Sequence, residues 1–334
     1  MIILVTGGLG YIGSHTIVKL LKKNYKVICI DNLVNSDLSI KNKIKKITKK
    51  NFNFHNVNIN NFNSMKNILR KYQKIDYIIH FASLIYVPES IKKPFEYYKN
   101  NLVSLLNIIE IAKIYKSSLI FSSSSTVYGK PKKFPITENM PFGLSTSPYG
   151  ASKKIGEEIL MDVANREKLS IVSLRYFNPL GSHKSLLIGE RMVENPVHIL
   201  PYITQVAIGN KKKLTIFGND YKTKDGTCVR DFIHVNDVAE AHIKCIPFLK
   251  KNKKKYYKFN IGVGRGVSVL ELINKFEKVI GIKIPYKFGK RRKGDVAELW
   301  SNCKKANKLL NWYPKYSLHE MILSAWNWEK KLRK

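Results

Sequence analysis

Acidic side chains are scarce: 24 Asp and Glu stand against 59 Lys and Arg in 334 residues, a formal charge of +35. Dense positive charge raises nucleic acid as a partner. The excess is spread along the chain, however, in clusters at 41–50, 211–213 and 250–255 rich in Asn and Ile besides Lys. No basic motif interleaved with aromatics accompanies them. Compositional drift toward Lys, Asn and Ile is the favoured reading, with no specific nucleic-acid partner and only weak, salt-sensitive sticking. Cysteines are few and far apart: Cys29, Cys228, Cys245 and Cys303 offer neither a C-x-x-C pair nor Cys/His ligand spacing. That argues against a disulfide framework and a metal site, and for four free thiols. Long apolar runs are missing as well. MIILVTGG is apolar for five residues before its glycines, too short for a signal core, and no later run reaches the roughly 18 residues of a membrane helix. The expectation is a cytoplasmic protein without a membrane partner. No internal repeat is present.

What the chain does have is alternation. Apolar runs at 2–6, 26–30, 52–59, 76–82, 118–123 and 171–175 read as strands, and helical periodicity falls between them at 11–23, 62–72, 95–116 and 149–168. The lysine-rich stretch 41–50 reads as a solvated helix face. Strands buried on both faces and alternating with helices predict an α/β fold, a doubly wound parallel sheet of Rossmann type. After Phe177 the regularity decays into long loops at 178–200 and 217–234, with helices at 201–209, 237–250, 268–280 and 316–331. Long loops after parallel strands commonly carry a substrate site. The expected division is therefore a larger lobe over 1–176, with 235–261 returning to it, and a smaller α/β lobe made mainly of 177–334.

TGGLGYIG at 6–13 follows the first strand and opens the first helix. In that context Gly7, Gly10 and Gly13 permit a tight turn, close approach of backbone to a pyrophosphate, and tight packing of helix on sheet. Asp31 ends the second strand, where a carboxylate accepts hydrogen bonds from ribose hydroxyls and repels a 2'-phosphate. These features predict NAD as cofactor rather than its 2'-phosphorylated relative.

Tyr149 and Lys153 stand four residues apart in SPYGASKKIGEEIL, a little over one turn, so a helix starting near Pro148 carries phenol and ammonium on one face. A free phenol, with a pKa of about 10, is a poor base at neutral pH and needs positive charge beside it to take a proton from an alcohol. FSSSSTVYG, at the end of the fifth strand, offers Ser124 as a hydroxyl to orient that proton. A strand-end serine also caps turns, and Ser123 and Ser125 compete for the role by register.

Together TGGLGYIGSHT, DNLVNS, HFA, PFEYYKNN, FSSSSTVYG, SPYGASK, LRYFNP, IFGNDYKTKDGTCVRDFIHV and RRKGD, in this order and spacing, run over nearly the whole length. In them the chain resembles the extended short-chain dehydrogenase/reductases and, within these, the UDP-glucose 4-epimerase (UDP-galactose 4-epimerase) family. The resemblance implies inversion at sugar C4 through a 4-keto intermediate with bound NAD, on a UDP-sugar, in a homodimer. It selects Tyr149, Lys153 and Ser124 as catalytic. It places NAD against Tyr11, Ile12, Asp31, Asn32, Asn35, Ser36, Asn58, Ile59, Phe81, Ala82, Asn100, Tyr149, Lys153 and Phe177, besides the three glycines. It places the UDP-sugar against Ser124, Asn178, His198, Ile199, Ile216, Phe217, Arg230, Arg292, Asp295 and Leu299. Guanidinium groups at 230 and 292 suit a diphosphate, and the basic surface would attract it.

The chain departs from the family pattern at four places. Ile85 stands for a frequent Lys and Asn58 for an Asp, which predicts weaker retention of NAD. His198 stands for an Asn, and Leu299 for a Tyr beside the hexose, which predicts room for UDP-N-acetylhexosamines. The competing readings are another nucleotide-sugar enzyme, a 4,6-dehydratase or an acid-sugar epimerase, and a non-catalytic nucleotide-sensing protein. A dehydratase would carry Thr-Asp-Glu where this chain has Ser124-Ser125-Thr126, and a sensor would have lost Ser124, Tyr149 and Lys153.

Overall fold

The computed structural model describes residues 1–191, 198–253 and 255–333. Part of the loop expected at 178–200 thus lies outside the described residues. Strand and helix alternate through β1 (Ile2–Thr6), α1 (Tyr11–Lys22), β2 (Lys26–Asp31), α2 (Ser39–Thr48), β3 (Asn53–Asn56), α3 (Phe62–Leu69), β4 (Tyr77–His80), α4 (Pro94–Tyr115), β5 (Ser118–Ser124), α5 (Pro148–Arg166) and β6 (Ile171–Tyr176). Then follow α6 (Ile199–Ala207), α7 (Val235–Lys251), β7 (Tyr256–Ile261), α8 (Val269–Ile280) and α9 (Leu318–Leu332).

Seven parallel strands form the central sheet in the order β7-β6-β5-β4-β1-β2-β3. Alternation along the strands sends side chains to two apolar cores. Ile3, Val5, Ile79, Ile120 and Leu174 pack with α1, α2 and α7 on one face, and Leu4, Ile78, Leu119, Phe121 and Ile171 with α3, α4 and α5 on the other. The strand order reverses between β1 and β4, so the loops leaving their carboxyl ends diverge and open a crevice there.

α2 is the lysine-rich stretch. It buries Ile40 and Ile44, so only its other face is solvated. β3 is shorter than the expected 52–59: the Asn58 side chain accepts a hydrogen bond from the Asn60 N–H at 3.0 Å, turning the chain away from the sheet. A short helix, Val87–Lys92, and a 3-10 turn, Ser125–Tyr128, were not anticipated.

Beyond β6 the chain both leaves and returns. β7 pairs with β6 from Tyr256 opposite Ile171 to Ile261 opposite Tyr176, and α7 is tied to α1 by Lys19 and Glu240 at 2.8 Å. A separate core gathers Leu200 and Ile203 of α6, Leu272 and Phe276 of α8, and Met321, Ile322 and Trp326 of α9, with Leu214 and Ile216 from the strand Leu214–Phe217. That strand pairs in parallel with Tyr286–Gly289. Among the described residues no helix is long and apolar enough to cross a membrane, no cluster of three or more His, Cys, Asp or Glu is set to hold a metal, and the four cysteines are free and buried.

Candidate active site

A cavity of about 1050 Å3 runs from the β1–α1 turn, past the ends of β4 and β5, to the strands Leu214–Phe217 and Val229–Arg230. At its first end the glycines are required by space. A Cβ on Gly7 would lie 2.7 Å from the Ala82 backbone nitrogen, and Gly7 has φ of +66°; a Cβ on Gly13 would lie 2.3 Å from the Gly7 carbonyl oxygen. Gly10 opens α1 without a side-chain cap, and the first turn carries no acidic residue, so the helix turns its leading N–H groups and positive dipole end toward the cavity. Asp31 is 8% exposed. Its Oδ2 accepts from the Leu9 N–H at 3.0 Å, and its Oδ1 accepts from the Leu33 N–H at 3.0 Å and from Ser36 Oγ at 2.9 Å. Those bonds fix the carboxylate on the cavity wall, and a carboxylate has lone pairs left for ribose hydroxyls. The donor set and the glycine cradle fit a dinucleotide diphosphate.

At the middle of the cavity, Ser147 caps α5 by accepting from the Gly150 N–H at 3.2 Å, and Pro148 follows at the first helical position. This start puts Tyr149 in the first turn and Lys153 one turn on. Lys153 is 4% exposed and donates to the Ser122 carbonyl at 2.8 Å, with its Nζ 5.8 Å from the Tyr149 ring centre. Burial pushes the Tyr149 phenol up to about 12, against which a hydrogen bond with Ser124 acts. Burial also pulls the Lys153 ammonium down to about 7. Ser124 Oγ accepts from the Thr126 N–H at 3.2 Å, capping the 3-10 turn, and the same side chain faces the Tyr149 phenol.

At the far end two guanidinium groups converge on one carboxylate. Arg292 grips Asp295 through Nε at 3.1 Å and Nη2 at 3.0 Å, and Arg230 Nη2 lies 3.8 Å from the same carboxylate. Arg230 also donates to the Val229 carbonyl at 2.8 Å, and Arg292 lies over the Phe217 ring at 5.6 Å. Asp295 therefore aims the arginines. His198 Nδ1 is hydrogen-bonded to Glu190. Burial depresses its pKa, and the charge and hydrogen bond of Glu190 outweigh burial, leaving it above the ordinary value. Leu299 is 7% exposed, paired opposite Arg230 and packed with Val127 and Phe177.

All the residues expected at the site line this cavity except Asn58, which is exposed and committed to its own turn; Val57 and Ile59 line the wall instead. Ile85 does line it and is 39% exposed. Several lining residues were not anticipated: Thr126, whose hydroxyl is buried without a partner, Tyr176, Glu190 and Cys228. Tyr176 was within reach of the sequence, since alternation along β6 aims it to the same face as Leu174. Glu190 was not, because its partner His198 is met only through the fold.

A family model described as GDP-mannose 4,6 dehydratase matches residues 4–324. The UDP-glucose 4-epimerase of Yersinia enterocolitica is 45% identical over 334 residues, covering 99% of this chain and 98% of the relative. Among solved structures, the Stenotrophomonas maltophila UDP-glucose 4-epimerase with bound NAD and formylated UDP-arabinopyranose superposes with a TM-score of 0.96 at 38% identity, covering 100% of this chain and 99% of the other. The Bifidobacterium longum UDP-glucose 4-epimerase in complex with NAD+ and UDP gives 0.95 at 42% identity, covering 99% and 98%. With the glycine cradle, the Ser124–Tyr149–Lys153 centre and the paired arginines lining one cavity, the chain belongs to the UDP-glucose 4-epimerase family of extended short-chain dehydrogenase/reductases.

Proposed function

We infer that this enzyme interconverts UDP-glucose and UDP-galactose by inversion at C4 through a transient 4-keto sugar. The observation that carries the reading is the placement of Ser124, Tyr149 and Lys153 midway between the glycine cradle and the Arg230–Arg292 pair, on one continuous cavity. NAD, when bound, would supply a hydride acceptor and donor for C4. The three glycines, the start of α1 and Asp31 would hold its diphosphate and ribose. Arg230 and Arg292, aimed by Asp295, hold the UDP diphosphate, with Asn178, His198, Ile199, Ile216 and Phe217 around the nucleotide. Gripping the nucleotide leaves the hexose free to turn over. The Tyr149 oxygen takes the C4 hydroxyl proton and later returns it, and Ser124 orients that hydroxyl.

The division of labour we propose follows from this: 1–176 with 235–261 binds NAD, and the remainder of 177–334 mainly binds substrate. The free buried thiols support a cytoplasmic setting. A homodimer is supported by Phe95 and Leu106, large apolar side chains exposed on one side of α4 that a second copy would cover. Leu299 in the hexose wall supports activity on UDP-N-acetylhexosamines. The dehydratase reading lacks support, since Ser125 and Thr126 supply no acid or base where that chemistry needs them.

Incubation of the purified protein with UDP-galactose and NAD tests the proposal. UDP-glucose should form, and Tyr149→Phe should slow its formation by orders of magnitude. A Tyr149→Phe variant as fast as the parent sinks it.

A further inference from the structure

Behind the site lies a buried ion pair that the reaction does not use. Glu157 follows Lys153 by one more turn of α5, so Tyr149, Lys153 and Glu157 form one stripe at four-residue intervals. The first two reach the cavity; Glu157 points into the sheet with no exposure. Arg175 of β6, equally buried, grips it through Nε at 2.9 and 3.1 Å and Nη2 at 2.6 Å. Ser123 of β5 donates to the same carboxylate, and so does Tyr256 of β7 at 2.7 Å. One side chain thereby joins a helix to three adjacent strands.

The placement relative to Ser124 is specific. Ser123 immediately precedes it and is tied to Glu157. Tyr128 closes the 3-10 turn that follows it, accepts from Arg175 Nη1 at 2.9 Å and donates to Asn260 Oδ1 at 2.6 Å. Both flanks of Ser124 are thus bonded to the same ion pair, and the helix bearing Tyr149 and Lys153 carries its carboxylate. Well-packed apolar residues would join helix and sheet at least as stably, because taking two charges out of water is costly. What an apolar pair lacks is a fixed setting of the helix along and around its axis.

We propose that Glu157 is a positioning residue for the reaction, holding the Tyr149 phenol in register with the Ser124 hydroxyl through Ser123; this rests on the epimerase reading. Small displacements matter there, since a misplacement of about 1 Å costs on the order of a hundredfold in rate.

Ser123→Ala and Tyr256→Phe each remove one hydrogen bond from the same buried carboxylate, the first beside the site and the second at the sheet edge. Ser123→Ala should lower kcat for UDP-galactose by about tenfold or more, with KM and the Kd for UDP within about twofold, because positioning of the reacting groups fails while nucleotide binding persists. Tyr256→Phe should keep kcat within about twofold. Ser123→Cys, close in size and a weak donor, should fall between, and it carries the measurement if the alanine variant does not fold. Equal losses of kcat in the Ser123 and Tyr256 variants, or an undiminished kcat in the Ser123 variants, overturn the proposal alone. A parent enzyme that fails to convert UDP-galactose overturns the epimerase reading and this inference with it.

Discussion

The Lys153 ammonium donates to the Ser122 carbonyl at 2.8 Å, while its Nζ stands 5.8 Å from the centre of the Tyr149 ring. The protein alone therefore does not make the phenol basic. Burial drives the two groups the wrong way for catalysis, the phenol up to about 12 and the ammonium down to about 7. A phenol that takes a proton near neutral pH requires positive charge beyond what the polypeptide provides here. Ultraviolet difference titration of the parent against Tyr149→Phe should find no phenolate from this residue near neutral pH in cofactor-free protein, and ionisation at lower pH once NAD is added. A Tyr149 titration unmoved by NAD contradicts this account. Lys153→Met should cut kcat by about a hundredfold or more, a general acid–base loss, with the Kd for UDP little changed.

Leu299 packs against Phe177 and Val127 on the cavity wall. A leucine leaves space that a tyrosine ring would take, and the space is polarity-neutral, suited to an N-acetyl methyl. Leu299→Tyr should lower turnover of UDP-N-acetylglucosamine by about tenfold, as a one- to two-methylene steric change does in an apolar pocket, while UDP-galactose turnover stays within about threefold. Parent enzyme that turns over UDP-galactose rapidly and leaves UDP-N-acetylglucosamine at background would refute the reading.

Ile85 lines the cavity and is partly exposed, so a longer side chain has room there. A cation at this place, well hydrated at the cavity mouth, would add a favourable interaction with the electron-rich oxygens of the cofactor of about 1 kcal/mol, or roughly fivefold in affinity. Ile85→Lys should slow loss of NAD during gel filtration by about that factor. Identical NAD content in parent and variant after filtration would show that position 85 does not govern retention.

The parts of this site that were legible in the sequence are those encoded by short spacing. Gly7, Gly10 and Gly13 sit in one turn, Asp31 ends the next strand, and Tyr149 and Lys153 share one helical face because Ser147 and Pro148 start the helix where they do. Strand and helix alternation carried the sheet, since burial on both faces leaves continuous apolar runs. Contacts made by folding were not legible. Glu157 and Arg175 look like ordinary surface charges until β6 is laid beside β5 and both prove fully buried. Asn58 fits a strand end by composition, yet its amide oxygen is satisfied by its own turn. The Glu190–His198 pair joins two loop ends that no local pattern connects.

Five histidines, His15, His80, His183, His234 and His242, are buried in surroundings that favour the neutral ring. His15 donates from Nδ1 to the Tyr11 carbonyl at 2.8 Å, and its Nε2 is buried without a partner. His242 donates from Nδ1 to the Val238 carbonyl at 2.8 Å, so its Nε2 accepts from the Tyr176 hydroxyl at 2.6 Å. His80 faces Thr6 Oγ1 at 2.8 Å. Burial lowers His15 and His80 to about 3 and His183, His234 and His242 to about 4; the Lys153 charge adds to the effect at His80, and the backbone hydrogen bonds of His15 and His242 oppose it. A base whose folded pKa lies below its unfolded value costs nothing while both states are neutral. Once the pH falls below about 6.5, the unfolded chain takes up protons that the folded chain refuses, and stability drops until the folded pKa is reached. Each ring contributes at most about 1.4 kcal/mol per pH unit, so the five together give up to about 7 kcal/mol per unit below pH ~6, opposed by the buried carboxyls of Asp231 and Asp237, which burial makes take up protons more readily folded than unfolded. Urea unfolding should show a nearly flat midpoint from pH ~8 to ~7 and a fall toward pH ~5, with His15→Leu lowering the slope by at most about 1.4 kcal/mol per pH unit. A midpoint that does not move between pH ~7 and ~5 would mean these rings accept protons in the folded state, which the unpartnered Nε2 of His15 and the hydroxyl-bonded Nε2 of His242 do not allow.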